Sequence, residues 1–239
     1  MNIKVFLYSV IFFLAAVHNE AIAQEQMPTI SPTAIYVTDS GEEENADMQG
    51  SAPLTGRFYA NAQNTDGYTA YYEWRFMMEG ETEPYLTRYE QDTEYTFTTA
   101  GAHNIVLYAT FTKGQETIEY TQEYWSYTPA LRVTISESKL EMPNAFSPNG
   151  DGINDIYKAK EGYQSLVEFH AYIFNRWGQK IYDWSDPAGG WDGTYKGKDV
   201  KDGVYFVLVN AKGADGRTFN IKKDVNLLRG FTESTTTAQ

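Results

Sequence analysis

The residues best suited to chemistry lie in one short run, Asn149-Gly-Asp-Gly-Ile-Asn-Asp155. Carboxylate and amide oxygens are the ligands that Ca²⁺ prefers, and it takes about six to eight of them, with glycines letting the backbone turn sharply enough to add carbonyls. The run lacks the spacing and the closing Glu of an EF-hand. It predicts a calcium site whose ligands are Asn149, Asp151, Asn154 and Asp155, with Asp192 from a later turn as a candidate to join them.

The same residues support a second interpretation, which involves no ion. Asn and Asp side chains accept hydrogen bonds from backbone N–H groups two residues further along the chain, and these bonds stabilise tight turns. In this interpretation the oxygens only shape the loop. The sequence leaves both interpretations open, and calcium is the one cofactor that it suggests.

Catalytic chemistry finds little support elsewhere in the chain. The chain contains no Cys, which excludes thiol nucleophiles, thiolate metal sites and disulfides. Beyond residue 23 only His103 and His170 remain, and neither has a second His at ligand spacing. No phosphate-binding, dinucleotide-binding or Gly-x-Ser-x-Gly motif occurs. We therefore expect a protein that is not an enzyme, since a hydrolase would need two carboxylates facing each other across a groove.

The beginning of the chain predicts export. Lys4 precedes an apolar run from Val5 to Val17, and Ala21-Ile22-Ala23 has the small-residue pattern of a cleavage site. This arrangement is typical of a secretory signal peptide and is too short for a membrane anchor. We expect a signal peptide at residues 1–23, no transmembrane segment in the mature chain, and a protein at the cell surface or in the extracellular medium.

Charge divides the rest of the chain into two parts. Residues 24–138 carry 18 acidic and 5 basic side chains, whereas residues 139–239 carry 13 of each. Strong acidity argues against a nucleic-acid partner. Together with the change in motifs, the charge predicts one module at 24–138, a second at 139–230 and a flexible tail at 231–239.

Alternating side chains predict that the first module is an antiparallel β-sandwich. Tyr72, Trp74 and Phe76 would share the buried face of one strand. A Trp in the middle of a strand is typical of the core of a two-sheet sandwich. The segment 39–50 has the composition of an acidic loop, and Thr117–Tyr124 has that of a further strand.

Three segments of this module are similar to a known family. They are Ser51-Ala-Pro-Leu-Thr-Gly-Arg-Phe58, Tyr72-Glu-Trp-Arg-Phe76 and Tyr95-Thr-Phe-Thr-Thr-Ala-Gly-Ala-His-Asn-Ile-Val-Leu107. They resemble the PKD-type immunoglobulin-like domain. The resemblance implies an adhesion or scaffold module whose partners are surface polysaccharide or another cell-surface protein.

Aromatic residues suggest an alternative function for the first module. Tyr71, Tyr89, Tyr124 and Trp125 would form a flat platform for carbohydrate if they were exposed together. The other possibility is that they pack in the sandwich as ordinary core residues. A contiguous exposed patch favours a carbohydrate-binding module, and a buried set favours a scaffold.

The second module is also predicted to be a β-sandwich. Strands are expected at Tyr163–Phe174, Lys180–Trp184 and Gly203–Asn210, the last of them central because it is almost continuously apolar. Asp-Gly within Ala214–Arg217 predicts a hairpin, which two shorter strands would follow at 218–222 and 225–228. The predicted fold class is therefore all-β, with two antiparallel β-sandwich domains in tandem.

Five motifs follow one another in the second module. They are Phe146-Ser-Pro-Asn-Gly-Asp-Gly-Ile-Asn-Asp155, Phe174-Asn-Arg-Trp-Gly178, Gly190-Trp-Asp-Gly193, Asp202-Gly-Val-Tyr-Phe206 and Lys223–Arg229. In this order they resemble the gliding-motility-associated C-terminal domain, which is the type B sorting domain of the Bacteroidetes type IX secretion system. The resemblance implies that the type IX machinery is a partner and that the domain directs export or surface attachment. The residues to which it assigns the sorting motif are Pro148, Asn149, Gly150, Asp151, Gly152, Asn175, Arg176, Trp177, Gly178, Trp191, Asp192, Gly193, Gly203 and Tyr205.

Overall fold

The structure is a computed structural model that describes residues 26–38 and 40–230. The predicted signal peptide at 1–23 and the predicted tail at 231–239 lie outside the described residues. Within them the chain is all-β, with two β-sandwiches in tandem, as the sequence predicts. Among these residues, no helix combines the length and the apolar character that crossing a membrane requires.

Two facing sheets form the first sandwich. Its strands are β1 (Thr33–Thr38), β2 (Gly41–Glu44), β3 (Asp47–Gly50), β4 (Leu54–Tyr59), β5 (Thr69–Met78), β6 (Leu86–Arg88), β7 (Thr93–Phe97), β8 (Gly101–Lys113), β9 (Glu116–Tyr120) and β10 (Leu131–Ile135), and helix α1 (Gln122–Tyr127) lies between the last two. One sheet has the order β2-β1-β4-β7, and the other has the order β3-β10-β8-β5-β6 with β9 paired to β8. The β3–β10 pair is parallel, although an antiparallel sandwich was expected.

Aromatic rings fill the core of this sandwich. Trp74 is fully buried and donates a hydrogen bond from Nε1 to the carbonyl oxygen of Gln91 at 3.0 Å. Phe58 lies between the rings of Trp74 and Phe76, with centroid distances of 5.9 and 5.3 Å. The predicted alternation over Tyr72–Phe76 is confirmed, because all three aromatic residues of that segment are buried.

Two local predictions for the first module are wrong. The segment predicted as an acidic loop forms β2 and β3, because tertiary pairing with β1 and β10 supplies hydrogen bonds to its backbone. The strand predicted to reach residue 124 ends at residue 120, and α1 follows. Trp125 on this helix donates from Nε1 to the carbonyl oxygen of Leu107 at 2.8 Å, so a long-range contact holds the helix against the sandwich.

One large sheet dominates the second sandwich. Its strands are β11 (Ala145–Phe146), β12 (Leu166–Phe174), β13 (Lys180–Trp184), β14 (Thr194–Tyr195), β15 (Lys198–Asp199), β16 (Gly203–Gly213) and β17 (Thr218–Leu227). The large sheet has the order β11-β17-β16-β12-β13, so β16 is central as predicted, and β14 and β15 form a separate hairpin. The two short strands predicted after the Asp-Gly turn are one strand, β17, because its register with β16 is unbroken from Thr218 to Leu227.

Irregular segments cover the inner face of this sheet. An isolated bridge joins Tyr157 to Trp191, with backbone hydrogen bonds of 2.8 and 3.0 Å. Both side chains are fully buried, and Phe146 packs on them with centroid distances of 5.6 and 5.3 Å. The bridge therefore connects the segment after the Asn/Asp run to the Gly190–Gly193 motif.

Hydrogen bonds cross the junction between the sandwiches. The buried Oγ of Ser165 accepts a bond from the N–H of Ala52 at 3.1 Å and lies 2.8 Å from Oγ of Ser136. Ala100 donates its N–H to the carbonyl oxygen of Ala214 at 3.0 Å, and the side chain of Ala214 packs into the core of the first sandwich. The two sandwiches are thus joined at more than the connecting segment.

Asp215 adds a further link at this junction. Its Oδ1 accepts a bond from the hydroxyl of Ser138 at 2.6 Å, and its Oδ2 accepts the N–H of Ser138 at 3.1 Å. The Ser138 hydroxyl, followed by the N–H of Arg217, lowers the pKa of Asp215 to about 2. Asp215 is therefore ionised over the whole physiological pH range.

Candidate functional site

Backbone N–H groups surround the oxygens of the Asn/Asp loop, which we define as residues 149–155. Oδ1 of Asp155 accepts the N–H groups of Asn149 and Gly150 at 2.9 and 2.7 Å, and its Oδ2 accepts the N–H of Gly152 at 2.8 Å. Oδ1 of Asn149 accepts the N–H of Asp151 at 3.0 Å. The bond on Asn149 has the spacing that the second sequence interpretation describes, and Asp155 accepts N–H groups that precede it in the chain.

The same contacts set the electrostatics of the loop. The pKa of Asp155 lies below its usual value because backbone N–H groups stabilise its carboxylate. The N–H of Gly150 contributes most, and those of Gly152 and Asn149 add to it. Gly150, Gly152 and Asn154 adopt φ values of +82°, +85° and +53°, a region that Gly and Asn enter readily. Among residues 26–38 and 40–230 no group of three or more His, Cys, Asp or Glu side chains is placed to hold a metal ion. Calcium binding by the loop stays one of the two interpretations that the sequence leaves open.

Asp192, the candidate additional calcium ligand, accepts hydrogen bonds from its own turn. Its Oδ1 accepts the N–H and the hydroxyl of Thr194 at 2.9 and 2.8 Å. Pro148, which directly precedes the Asn/Asp loop, lies against this turn, since a Cβ added to Gly193 would lie 2.9 Å from Cγ of Pro148. Gly193 also has a φ of +77°, so both its backbone and its surroundings require a glycine.

Several of the predicted sorting residues surround one pocket, which we call the Trp177 pocket. It lies where the β12–β13 turn, the β14–β15 hairpin and the start of β16 meet, and it has a volume of about 340 Å³. Its lining residues are Asn175, Arg176, Trp177, Ile181, Tyr195, Val200, Lys201, Asp202, Gly203, Val204 and Tyr205. Antiparallel pairing of β12 with β16 therefore brings together two motifs that are separate in the sequence.

The β12–β13 turn presents an exposed indole to this pocket. Oδ1 of Asn175 accepts the N–H groups of Trp177 and Gln179 at 3.0 and 3.1 Å, which fixes the shape of the turn. Trp177 is 75% exposed. The guanidinium of Arg176 lies 4.2 Å from the centre of its ring, a cation–π contact.

Tyr205 and Trp191 support the pocket from inside the domain. Tyr205 lines the pocket, packs 5.1 Å from the buried ring of Trp191 and donates its hydroxyl to the carbonyl oxygen of Lys201 at 2.7 Å. Burial raises the pKa of Tyr205. Trp191 donates from Nε1 to the carbonyl oxygen of Thr194 at 2.8 Å and does not line the pocket.

Arg229 contacts three segments beside the pocket, and sequence reasoning does not predict these contacts. Its N–H donates to Oδ2 of Asp202 at 3.0 Å, and its Nη2 donates to the carbonyl oxygen of Gly193 at 2.7 Å. Its guanidinium also pairs with Asp199 at 3.2 Å. The motif Lys223–Arg229 is visible in the sequence, but these partners come from loops that only the fold brings to it.

Only two of the four residues predicted to form an aromatic platform on the first sandwich are exposed together. Tyr71 and Tyr89 are 52% and 59% exposed, and their ring centroids lie 5.9 Å apart. Tyr124 and Trp125 pack against the core instead. Half of the predicted set therefore forms an exposed pair, and the other half is structural.

Two solved structures are similar to this chain at low sequence identity. Dimeric latent PorU from Porphyromonas gingivalis matches with a TM-score of 0.26 and 10% identity, over 86% of this chain and 20% of that one. The FN1–FN3 domains of chicken CNTN1 match with a TM-score of 0.25 and 9% identity, over 76% of this chain and 70% of that one. The chain thus spans about a fifth of the PorU chain, and similarities this weak support no conclusion about function.

Comparison with protein families finds a match within the second sandwich. No curated protein matches the chain significantly. Residues 140–223, however, match the family model of the CHU_C type IX secretion signal domain. The match covers the Asn/Asp loop and the whole lining of the Trp177 pocket. This part of the chain therefore matches a signal domain for type IX secretion.

Proposed function

We propose that the protein is an exported, non-catalytic cell-surface protein whose residues 139–230 direct it to the type IX secretion machinery. Residues 24–138 serve in this proposal as a PKD-like adhesion or scaffold module, and residues 1–23 as the signal peptide for the inner membrane. The observation that carries the proposal is the family match at residues 140–223. The meeting of two of the resembling motifs at one exposed pocket supports it.

The environments of the two histidines support a non-catalytic role. His103 is buried, with Nε2 2.9 Å from the carbonyl oxygen of Thr99 and Nδ1 2.9 Å from the hydroxyl of Tyr85. Burial lowers the pKa of His103, which keeps the ring neutral. His170 lies 3.2 Å from Asp183 on the sheet surface. Both rings thus have structural partners.

Cell fractionation tests the sorting function. The full chain and a version that ends at Ser138 would be expressed in a bacterium with type IX secretion and in a strain that lacks it. We expect protease-accessible protein on intact cells only for the full chain in the competent strain. Equal surface amounts of the full chain in both strains, or of both versions in the competent strain, would rule out this function.

The exposed tyrosine pair favours a second function for the first sandwich, carbohydrate binding. Tyr71 and Tyr89 offer adjacent aromatic faces to solvent, the kind of surface on which sugar rings stack. A panel of neutral and acidic oligosaccharides would be titrated against the full chain and against Y71A and Y89A. Tyr127, which is 86% exposed on α1, supplies the control Y127A. Binding that is lost in Y71A and kept in Y127A would favour this function over the scaffold role.

A further inference from the structure

We propose that the Trp177 pocket is a docking site for an extended, acidic segment of a partner protein, with one large apolar side chain of that segment seated in the pocket. The inference rests on the proposed function, because the partner would be a component of the export machinery. Its basis is the chemistry of the pocket lining.

Apolar and aromatic side chains form a large part of the pocket lining. Ile181, Val200 and Val204 line it together with the rings of Trp177 and Tyr205. Tryptophan, tyrosine and arginine are the residues that most often dominate the energy of protein interfaces. A volume of about 340 Å³ lies at the small end of the range for ligand pockets and suits one large side chain.

The neutral polar groups of the lining already have partners inside the domain. Oδ1 of Asn175 accepts two N–H groups of its own turn, and its Nδ2 donates to Gln179 at 3.1 Å. The hydroxyl of Tyr195 accepts a bond from Gln179 at 3.2 Å, and that of Tyr205 donates to the carbonyl oxygen of Lys201. Recognition of sugar hydroxyls would need such groups, so the lining favours a peptide over a neutral carbohydrate.

The charges at the rim select an acidic partner. Asp202, the carboxylate of the lining, accepts the backbone N–H of Arg229, and Asp199, next to Val200 of the lining, pairs with the guanidinium of Arg229. The cations Arg176 and Lys201 are exposed, and neither has an ion-pair partner within the described part of the chain. Carboxylates on either side of an apolar side chain would therefore meet two cations, which outnumber the single carboxylate of the lining. Arg176 adds a guanidinium suited to bidentate carboxylate binding.

Binding of synthetic peptides to the full chain tests this inference. The probe is a fluorescein-labelled peptide Glu-Asp-Phe-Asp-Glu with blocked ends, and its controls replace Phe by Ala or the four acids by Lys. We expect the probe to bind and both control peptides to bind much more weakly. We also expect salt to weaken binding, since it screens exposed charges. The substitution W177A should weaken binding about tenfold or more. The double change R176E with K201E should abolish binding of the acidic probe.

Matched variants separate docking from folding. Trp177 is 75% exposed, so W177A should leave the melting temperature unchanged. The control Y127A removes another exposed aromatic side chain, outside the second sandwich, and should leave peptide binding unchanged. Equal binding of acidic and basic peptides, full binding by W177A, or displacement of the probe by a neutral oligosaccharide would each overturn the inference.

Export in cells distinguishes the inference from the proposed function. We expect W177A to reduce the surface amount of the full chain as strongly as it reduces peptide binding. If loss of residues 139–239 prevents export but W177A is exported normally, the docking inference fails and the proposed function stands. If the shortened chain is exported as well as the full chain, the proposed function fails, and with it the assignment of the partner to the export machinery.

Discussion

Gly190 offers the sharpest test of how the second sandwich holds its site. A Cβ added at this position would lie 2.4 Å from the carbonyl oxygen of Tyr157, a backbone atom that cannot rotate away. Gly190 is adjacent to Trp191, whose bridge to Tyr157 connects the motif to the segment after the Asn/Asp loop. The substitution G190A therefore forces the two backbones apart at that bridge.

The cost follows from two effects. Overpacking a well-packed site costs about 1–3 kcal/mol. Separation of Tyr157 from Trp191 also weakens the two backbone hydrogen bonds of 2.8 and 3.0 Å, each of which contributes about 1 kcal/mol. Because the two effects overlap, we expect G190A to lower the free energy of unfolding by about 3 kcal/mol. With a urea slope of about 2 kcal/mol/M, the unfolding midpoint should fall by about 1.5 M.

The neighbouring Gly189 supplies a matched control. A Cβ added there would lie 3.3 Å from the carbonyl oxygen of Asp186, which a small shift relieves. Neither Gly189 nor Gly190 has a φ in the left-handed region, so the comparison isolates the close approach. Urea unfolding would be followed by tryptophan fluorescence, with Trp184 and Trp191 as buried reporters in the second sandwich.

We expect G189A to change the free energy of unfolding by less than about 1 kcal/mol, because the lower chain entropy of Ala in the unfolded state offsets the tight contact. G190A should also reduce the surface amount of the protein, and G189A should not. Equal midpoints for the two variants would refute the argument that the motif requires Gly190 for a close backbone approach.

The remaining predictions concern the loop and the junction. Because N–H donors lower the pKa of Asp155, its carboxylate stabilises the fold above its usual pKa of about 4, and this stabilisation is lost as the pH falls below that value. Thermal melts should therefore show D155N to be less stable than the parent near pH 7, with the difference shrinking in acid. Since the loop oxygens already accept backbone N–H groups, we expect equal melting temperatures in calcium and in chelator, and a clear rise with calcium would establish the ion site. The pKa of Asp215 is about 2, so the destabilisation caused by D215N should be complete above the usual Asp pKa of about 4 and should shrink as the pH falls from there towards 2. S138A should speed proteolysis at the junction, because it removes the hydroxyl that donates a hydrogen bond to Asp215.

Local patterns account for the parts of the fold that the sequence predicts well. The alternation in Tyr72–Phe76 and the apolar run of β16 report the environment of a strand directly, because side chains on a strand alternate between its two faces. The Asp-Gly hairpin before β17 follows from turn chemistry in the same way. Helix α1 could not be predicted from a local pattern, because its position depends on the long-range hydrogen bond from Trp125 to Leu107.

The Asn/Asp loop shows where composition stops being decisive. Its residue types require a tight turn, and Gly150 and Gly152 have positive φ values, as that requirement implies. A calcium site and an Asx-turn network use the same oxygen atoms, so the sequence cannot distinguish them. The positions of the N–H groups around Asp155 are a property of the folded loop alone.

By itself the sequence determined the all-β class, the two modules and the motifs of the second one, because these depend on residue type and spacing along the chain. Only the tertiary structure decided which motif residues are buried and which are exposed. Trp191 and Trp177 are both motif tryptophans, yet one is fully buried and the other is 75% exposed. The reason is the pairing of β12 with β16, which places the turn that carries Trp177 beside Tyr205 and forms a pocket from residues that are distant in the chain.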